Sequence, residues 1–213
     1  MSSDSIKLAD PEDLLDVVTQ GRTWLHTSWI KKTYPFAKFG RGTSVHHSCE
    51  IQRSIARAIS LGEDVYLAPD VWLNVTEGAW GSRPKITIGN GCKIGRRSTI
   101  SAKNRICLEE NVLTAPSVLI MDHNHAYMDV SVPIHAQGVT PGGSITIGKN
   151  CWLGCGVVVL CGQKDLTIGR NSVLGANAVV TQSFPDFSVI AGNPAKLLRI
   201  YDQPTGKWIN PNG

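Results

Sequence analysis

The chain lacks a strong charge of either sign. Lysine and arginine number 21 against 17 aspartate and glutamate, for a formal net charge of +4 and a pI near 8.8. The basic residues are scattered, so nothing in the balance calls for a nucleic-acid partner. It also lacks any apolar run approaching the ~20 residues that a bilayer span requires. The opening stretch MSSDSIKLADPEDLL has no basic-then-apolar signal pattern, and a cytoplasmic location is the expectation. None of the six cysteines forms a CxxC pair, which argues against a structural zinc site or a redox motif. No metal is expected.

What is present is a repeat. Ile88, Ile94 and Ile100 stand six apart in KITIGNGCKIGRRSTI, and Leu108, Thr114 and Ile120 resume the series after an eight-residue step. The same period returns in Ile147, Leu153 and Val159 and again in Ile168, Leu174 and Val180. Glycine follows Ile88 and Ile94, and small residues such as Cys92, Ser98, Cys151, Ser172 and Ala178 stand two positions before members of the series. Each unit therefore reads as a short strand with alternating inward side chains, followed by a turn. A unit this short cannot bury its apolar face alone, so consecutive units must stack into a solenoid. Strands of an ordinary sandwich recur about every 8 to 12 residues and hold no such register. Cys92 and Cys151, at inward positions, are expected to be buried, reduced thiols.

Three segments depart from the repeat. Residues 1–37 are expected to form a helical cap opening at Asp10-Pro11. Its residues Leu14, Leu15, Val18, Leu25 and Trp29 offer one apolar surface, with a break at Gly21. Such a cap would cover the open solenoid end and stop edge pairing. Arg22, Lys31 and Lys32 would also allow contact with a membrane surface, but capping is the expected role. Residues 38–200 form the solenoid, interrupted at about 122–144 by an irregular loop containing MDHNHAYMDVSVPI. Residues 201–213 form a tail whose Trp208 should dock on the body or on a neighbouring subunit.

On its repeat, the chain resembles the hexapeptide-repeat acyltransferases over roughly residues 38–200, most closely from Ile86 to Arg199. The resemblance implies an all-β fold, a left-handed parallel β-helix with three strands per coil. The loop adds a chemical expectation. A histidine on a long excursion from a rigid scaffold is a natural general base, and three are available in His123, His125 and His135. The segment DHNHAYMDVSVPI resembles the active-site loop of the sugar and polysaccharide O-acetyltransferases in that family. This implies His125 as the base, with His123 as runner-up; periodicity alone does not separate them. Asp122 and His123 are then expected to contact the acceptor.

The same resemblance implies direct transfer from acetyl-CoA to a carbohydrate hydroxyl in a homotrimer. The Cys155 backbone N–H, in the turn CWLGCG, would stabilise the oxyanion, and cysteine can stand there because only the backbone acts. Trp152, Cys155, Ala176, Thr181, Gln182, Lys196 and Arg199 would line the CoA path, the last two meeting phosphates. Extra residues between Val159 and Ile168 depart from the family pattern. So does Gln182, where a lysine is common, and Gly95, where the galactoside branch has an acceptor-binding asparagine. No galactoside preference is therefore carried over. The alternatives are a xenobiotic acetyltransferase of the same fold, a γ-type carbonic anhydrase with a three-histidine zinc site, or a non-enzymatic scaffold.

Overall fold

The computed structural model describes residues 14–76 and 83–211. Within them the six-residue period becomes three parallel sheets that the chain visits in rotation. The first sheet stacks Lys38–Phe39, Ile59–Leu61, Ile86–Ile88, Arg105–Leu108, Ser144–Ile147 and Leu166–Ile168. The second starts at Ser44–Val45 and the third at Glu50–Ile51, and each gains one strand per turn of chain. The result is a three-sided prism, all-β, a left-handed parallel β-helix.

Its core is a set of aliphatic columns. Leu61, Ile88, Leu108, Ile147 and Ile168 pair in register up the first sheet. On the third sheet Ile51, Leu73, Ile100, Ile120, Val159 and Val180 do the same. All are buried, and each such side chain contributes about 1.5–3 kcal/mol by leaving water. Thr114, the polar member of the series, is also buried, and its hydroxyl accepts the Gly95 N–H at 2.8 Å. The small residues Cys92, Ser98, Cys151, Ser172 and Ala178 are buried too. Burial pushes the Cys92 and Cys151 thiols up to about 11.

The glycine after the aliphatic has a steric cause. A Cβ on Gly95 would lie 2.4 Å from the Ala115 carbonyl oxygen of the next coil, so coils could not close to hydrogen-bonding distance there. Other corners use left-handed backbone. Asn111, Asn150 and Asn171 hold φ between +54° and +59°, which short polar side chains tolerate.

Both ends are closed. The helix Leu14–Thr33 caps the start by its polar side: Thr27 Oγ1 donates to Val45 O and accepts Val45 N–H, each at 3.0 Å. These are the edge groups that the first coil would otherwise leave unpaired. Ile30 is buried beneath the helix, whereas Val18, Leu25 and Trp29 are exposed. The expected inward apolar face is thus turned outward, and the helix runs through Gly21 without a break. Asp10, Pro11 and the side chains of Leu14 and Leu15 lie outside the described residues. At the far end, Lys196–Asp202 runs antiparallel to Ser188–Ala191, and Lys207–Ile209 adds to it. Trp208 packs edge-on against Tyr201 of the same hairpin, with ring centroids 5.4 Å apart.

Candidate active site

The irregular insertions gather at one corner of the prism, between the third and first sheets. There the 3₁₀ helix Arg53–Ala58, the loop 122–143 and the turn 161–165 leave the repeat. Loop 122–143 is held from both neighbouring coils. From below, the Asp122 carboxylate accepts the backbone N–H groups of Lys103, Asn104 and Arg105 at 2.7, 2.9 and 2.8 Å. The Asn104 amide donates to Pro141 O at 2.8 Å and Gly143 O at 3.0 Å, and Lys103 Nζ donates to Thr140 O. From above, Asp165 accepts Ser144 N–H at 2.8 Å. Hydrogen bonds from Ser144 hold the Asp165 carboxyl below the usual carboxylate range. The turn that holds the extra residues between Val159 and Ile168 thus braces the end of the loop.

The loop is also ordered internally. Asn124 and Thr140 exchange bonds, from Asn124 N–H to Thr140 Oγ1 at 3.0 Å and from Thr140 N–H to Asn124 O at 2.7 Å. His125 pairs with Val139 in a single antiparallel bridge. Asp129 caps a tight turn by accepting the N–H and hydroxyl of Ser131, and Gln137 ties that turn back to Asp129 and Val132. The tip bears exposed Tyr127, Met128, Val130 and Ile134.

Two histidines leave this frame in different states. His123 is 5% exposed, with Nδ1 3.0 Å from Asp122 Oδ1. His125 is exposed at the loop surface. Asp122 is fully buried and its oxygens are occupied by backbone donors and His123. Asp122 thus anchors the loop, and it presents no surface for the acceptor contact expected of it. His123, inside the same knot, offers little surface for the acceptor contact expected of it. A sequence signal for this exists. Asp122 lies two residues beyond inward Ile120, at the inward position that Ala102 and Cys161 fill on adjacent coils. A carboxylate at such a position must be met by buried donors.

The next of the expected site residues lie at the corner between the second and third sheets. Cys155 and Ala176, both exposed, sit mid-turn on successive coils, stacked by the bond from Asn177 N–H to Cys155 O at 2.8 Å. Their neighbours Gly154, Gly156 and Gly175 donate to Leu174, Pro116 and Ile190 carbonyls. The N–H groups of Cys155 and Ala176 have no acceptor among the described residues. One coil below, the equivalent turn residue is Pro116, which has no N–H to offer. At ~3.3 Å per residue, this corner lies roughly 15 Å across the third sheet from Cys161, where the loop is anchored. Two hollows, of 310 and 490 Å³, open on the first sheet and inside the loop's curl, and neither is lined by His123, His125 or Cys155. Among the described residues no cluster of three His, Cys, Asp or Glu could hold a metal ion.

Residues 144–182 match the model of the hexapeptide repeat of succinyl-transferase. A Mycobacterium tuberculosis protein named as an acetyltransferase is 29% identical over 91% of this chain and 53% of its own length. An Escherichia coli protein named for O-acetyl transfer in lipopolysaccharide biosynthesis is 36% identical over 51% of this chain and 57% of its own. The chain thus carries the hexapeptide repeat of acyltransferases and is similar to proteins named as acetyltransferases. It spans a little over half the length of these two relatives. A Bacillus cereus N-acyltransferase, solved with dTDP and 3-hydroxybutyryl-CoA, shares the fold at TM-score 0.67 and 17% identity, covering 84% of this chain and 89% of that one.

The remaining positions of this hexapeptide-repeat chain fall on the upper coils. Thr181 and Gln182 are exposed just beyond Val179–Val180, at the far end of that strand from Ala176. Lys196 pairs with Ala191 and Arg199 with Val189 on the closing strand, both exposed. Trp152 is half exposed on the outer face of the second sheet, between Leu113 and Val173. The segment Gly192-Asn193-Pro194, with a cis Asn193-Pro194 peptide, closes the top coil through Val179 N–H to Gly192 O at 3.0 Å and Ala195 N–H to Val179 O at 2.9 Å. Cys155 is the exposed cysteine; Cys92, Cys151 and Cys161 are buried.

Proposed function

We propose that this chain transfers an acetyl group from acetyl-CoA to a hydroxyl of a carbohydrate, of the kind found in polysaccharide or lipopolysaccharide precursors. The observation that carries the reading is the pairing of an exposed histidine on a doubly anchored loop with unengaged N–H donors at the neighbouring corner. His125 takes the proton from the acceptor hydroxyl as its oxygen attacks the thioester carbonyl. The Cys155 N–H donates to the developing oxyanion, and the CoA thiolate leaves. A base of this kind contributes about 10²- to 10⁴-fold, and one oxyanion donor about 10²- to 10³-fold. Ala176 N–H, Thr181 and Gln182 hold the pantetheine arm, Trp152 borders it, and Lys196 and Arg199 meet its phosphates as point charge and fork.

Cys155 precedes the strand Val158–Leu160 of the third sheet, and the loop of His125 leaves the other end of that sheet, an arrangement that favours a second copy supplying one of the two groups to a common substrate. That separation supports a homotrimer with a site in each of three clefts. A second reading takes His123 as the base, because it has the oriented carboxylate partner that catalytic histidines often use. Its burial favours His125. Thiol release from acetyl-CoA, followed over a panel of nucleotide sugars, amino sugars and oligosaccharides, tests the activity and separates O- from N-transfer. Release that no acceptor accelerates would refute the reading. Light scattering should give the mass of three chains; a fully active monomer would refute the shared site.

A further inference from the structure

The helix Leu14–Thr33 has two faces, and the cap uses one of them. At 3.6 residues per turn, Thr23, His26, Thr27 and Ile30 share one side, and that side meets Val45 and His47 of the first coil. Gly21 lies opposite Ile30. Within about 80° of Gly21 fall Val17, Val18, Trp24, Leu25 and Trp29, and these are exposed by 47, 50, 68, 61 and 54%. No Cβ added at Gly21 would touch anything within 4 Å. The body thus leaves most of a tryptophan-bearing stripe uncovered, touching it at Trp29, whose ring meets Tyr34 edge-on with centroids 5.5 Å apart.

The charge around the stripe identifies its partner. Arg22 lies along one edge and Lys31 along the other, and Lys32 lies on the stripe itself at its C-terminal end. All three are exposed, and neither Arg22 nor Lys32 makes an ion pair among the described residues. Asp16 falls on the opposite side, with the body face. A helix with aromatic and aliphatic residues on one face and basic residues bordering it is built to lie in the headgroup region of an anionic bilayer. There tryptophan rings favour the boundary between water and acyl chain, and lysine stems can extend along the apolar surface to keep their charge in water. A second copy fits less well. Two stripes packed together would oppose basic edges, and like charges in register disfavour that contact.

We propose that the outward face of this helix docks the protein on the surface of an anionic membrane. The attachment is peripheral, since no helix among the described residues is long and apolar enough to cross one. It requires neither acyl donor nor acceptor.

The test is co-sedimentation with vesicles of phosphatidylcholine containing phosphatidylglycerol, against vesicles of phosphatidylcholine alone, with tryptophan emission followed in parallel. The native protein should bind the anionic vesicles with a blue shift and leave the neutral ones unbound at the same lipid concentration. Trp24→Ala with Trp29→Ala should abolish binding while the thermal transition stays in place. Arg22→Gln and Lys32→Gln should each weaken it about fivefold, the equivalent of ~1 kcal/mol per basic residue near such a surface. Absence of binding by the native protein would overturn the proposal, as would equal binding to neutral vesicles or undiminished binding by the double tryptophan variant. A fall in the native mass of the double tryptophan variant would also overturn it, by assigning the stripe to a second copy.

Discussion

Ile120 does on its coil what Ile100 does below and Val159 above, one of many equivalent aliphatics in a buried column. Two residues later, Asp122 has no equivalent: it alone accepts the N–H groups of Lys103, Asn104 and Arg105, and the loop of His125 hangs from it. The stack and the loop therefore encode their shapes differently, one by repetition and the other by single polar contacts. Change in the stack should be felt as stability and spread over the coils. Change in the loop anchor should be felt at the site.

The sharpest break of that contrast is Asp122→Ala. It strips an acceptor from buried backbone donors and from His123, a loss of about 3–5 kcal/mol when a buried charge–donor set is broken. It should abolish transfer even in protein that remains folded, as read by denaturant melts beside thiol release. Ile120→Ala should cost about 2–5 kcal/mol of stability, yet leave kcat of the folded fraction within about twofold, since an effect that size is under 1 kcal/mol. If Ile120→Ala lowers kcat as far as Asp122→Ala does, the two regions are not separable.

A smaller effect is expected at the closing strand. Lys196→Ala with Arg199→Ala should raise the acetyl-CoA KM about three- to tenfold and leave kcat and the acceptor KM nearly unchanged, because binding made equally in ground and transition states appears in KM. The rise should shrink at high salt. A raised acceptor KM instead would reverse the direction assigned to the groove.

The smallest concerns the cap. Burial holds His46 and His47 below their usual 6.5, helped by repulsion from His26 and Arg22, and for His46 from His47 as well, and opposed by Asp70. A histidine with a depressed folded pKa contributes stability that is full above 6.5 and is lost as pH falls through the folded value. The helix contacts at Thr23 and His26 should therefore loosen first on acidification below about pH 6.5. Asp129 and Asp165, also depressed, act with the same sign at lower pH. Amide exchange in the helix, measured against pH, should rise while that of the columns does not.

The same contrast governs how much of the molecule is legible in its sequence. The columns are legible because every inward aliphatic meets the same surroundings, so a period in sequence is a column in space. Even Thr114 obeys it, with Gly95 N–H supplied by the coil below. The helix face is not legible in that way. An apolar stripe suggests burial against the body, but what the first coil offers is the open N–H and C=O of Val45, and a threonine answers them. Asp122 misleads for a related reason: counted along the chain it is the first residue of the loop, yet in space it is the last inward position of a strand. His125 and Cys155 stand out by resemblance, whereas their separation across a sheet is a property of the folded prism alone.

The most direct measurement is a pair of single variants, His125→Ala and His123→Ala, compared for kcat with acetyl-CoA and for CoA affinity by titration. His125→Ala should lose about 10²- to 10⁴-fold in kcat with CoA affinity and thermal transition unchanged. His123→Ala should show a lowered transition as its main effect. A His125→Ala enzyme that keeps its kcat, beside a folded His123→Ala enzyme that loses it, would contradict the account and move the base to the buried histidine held by Asp122.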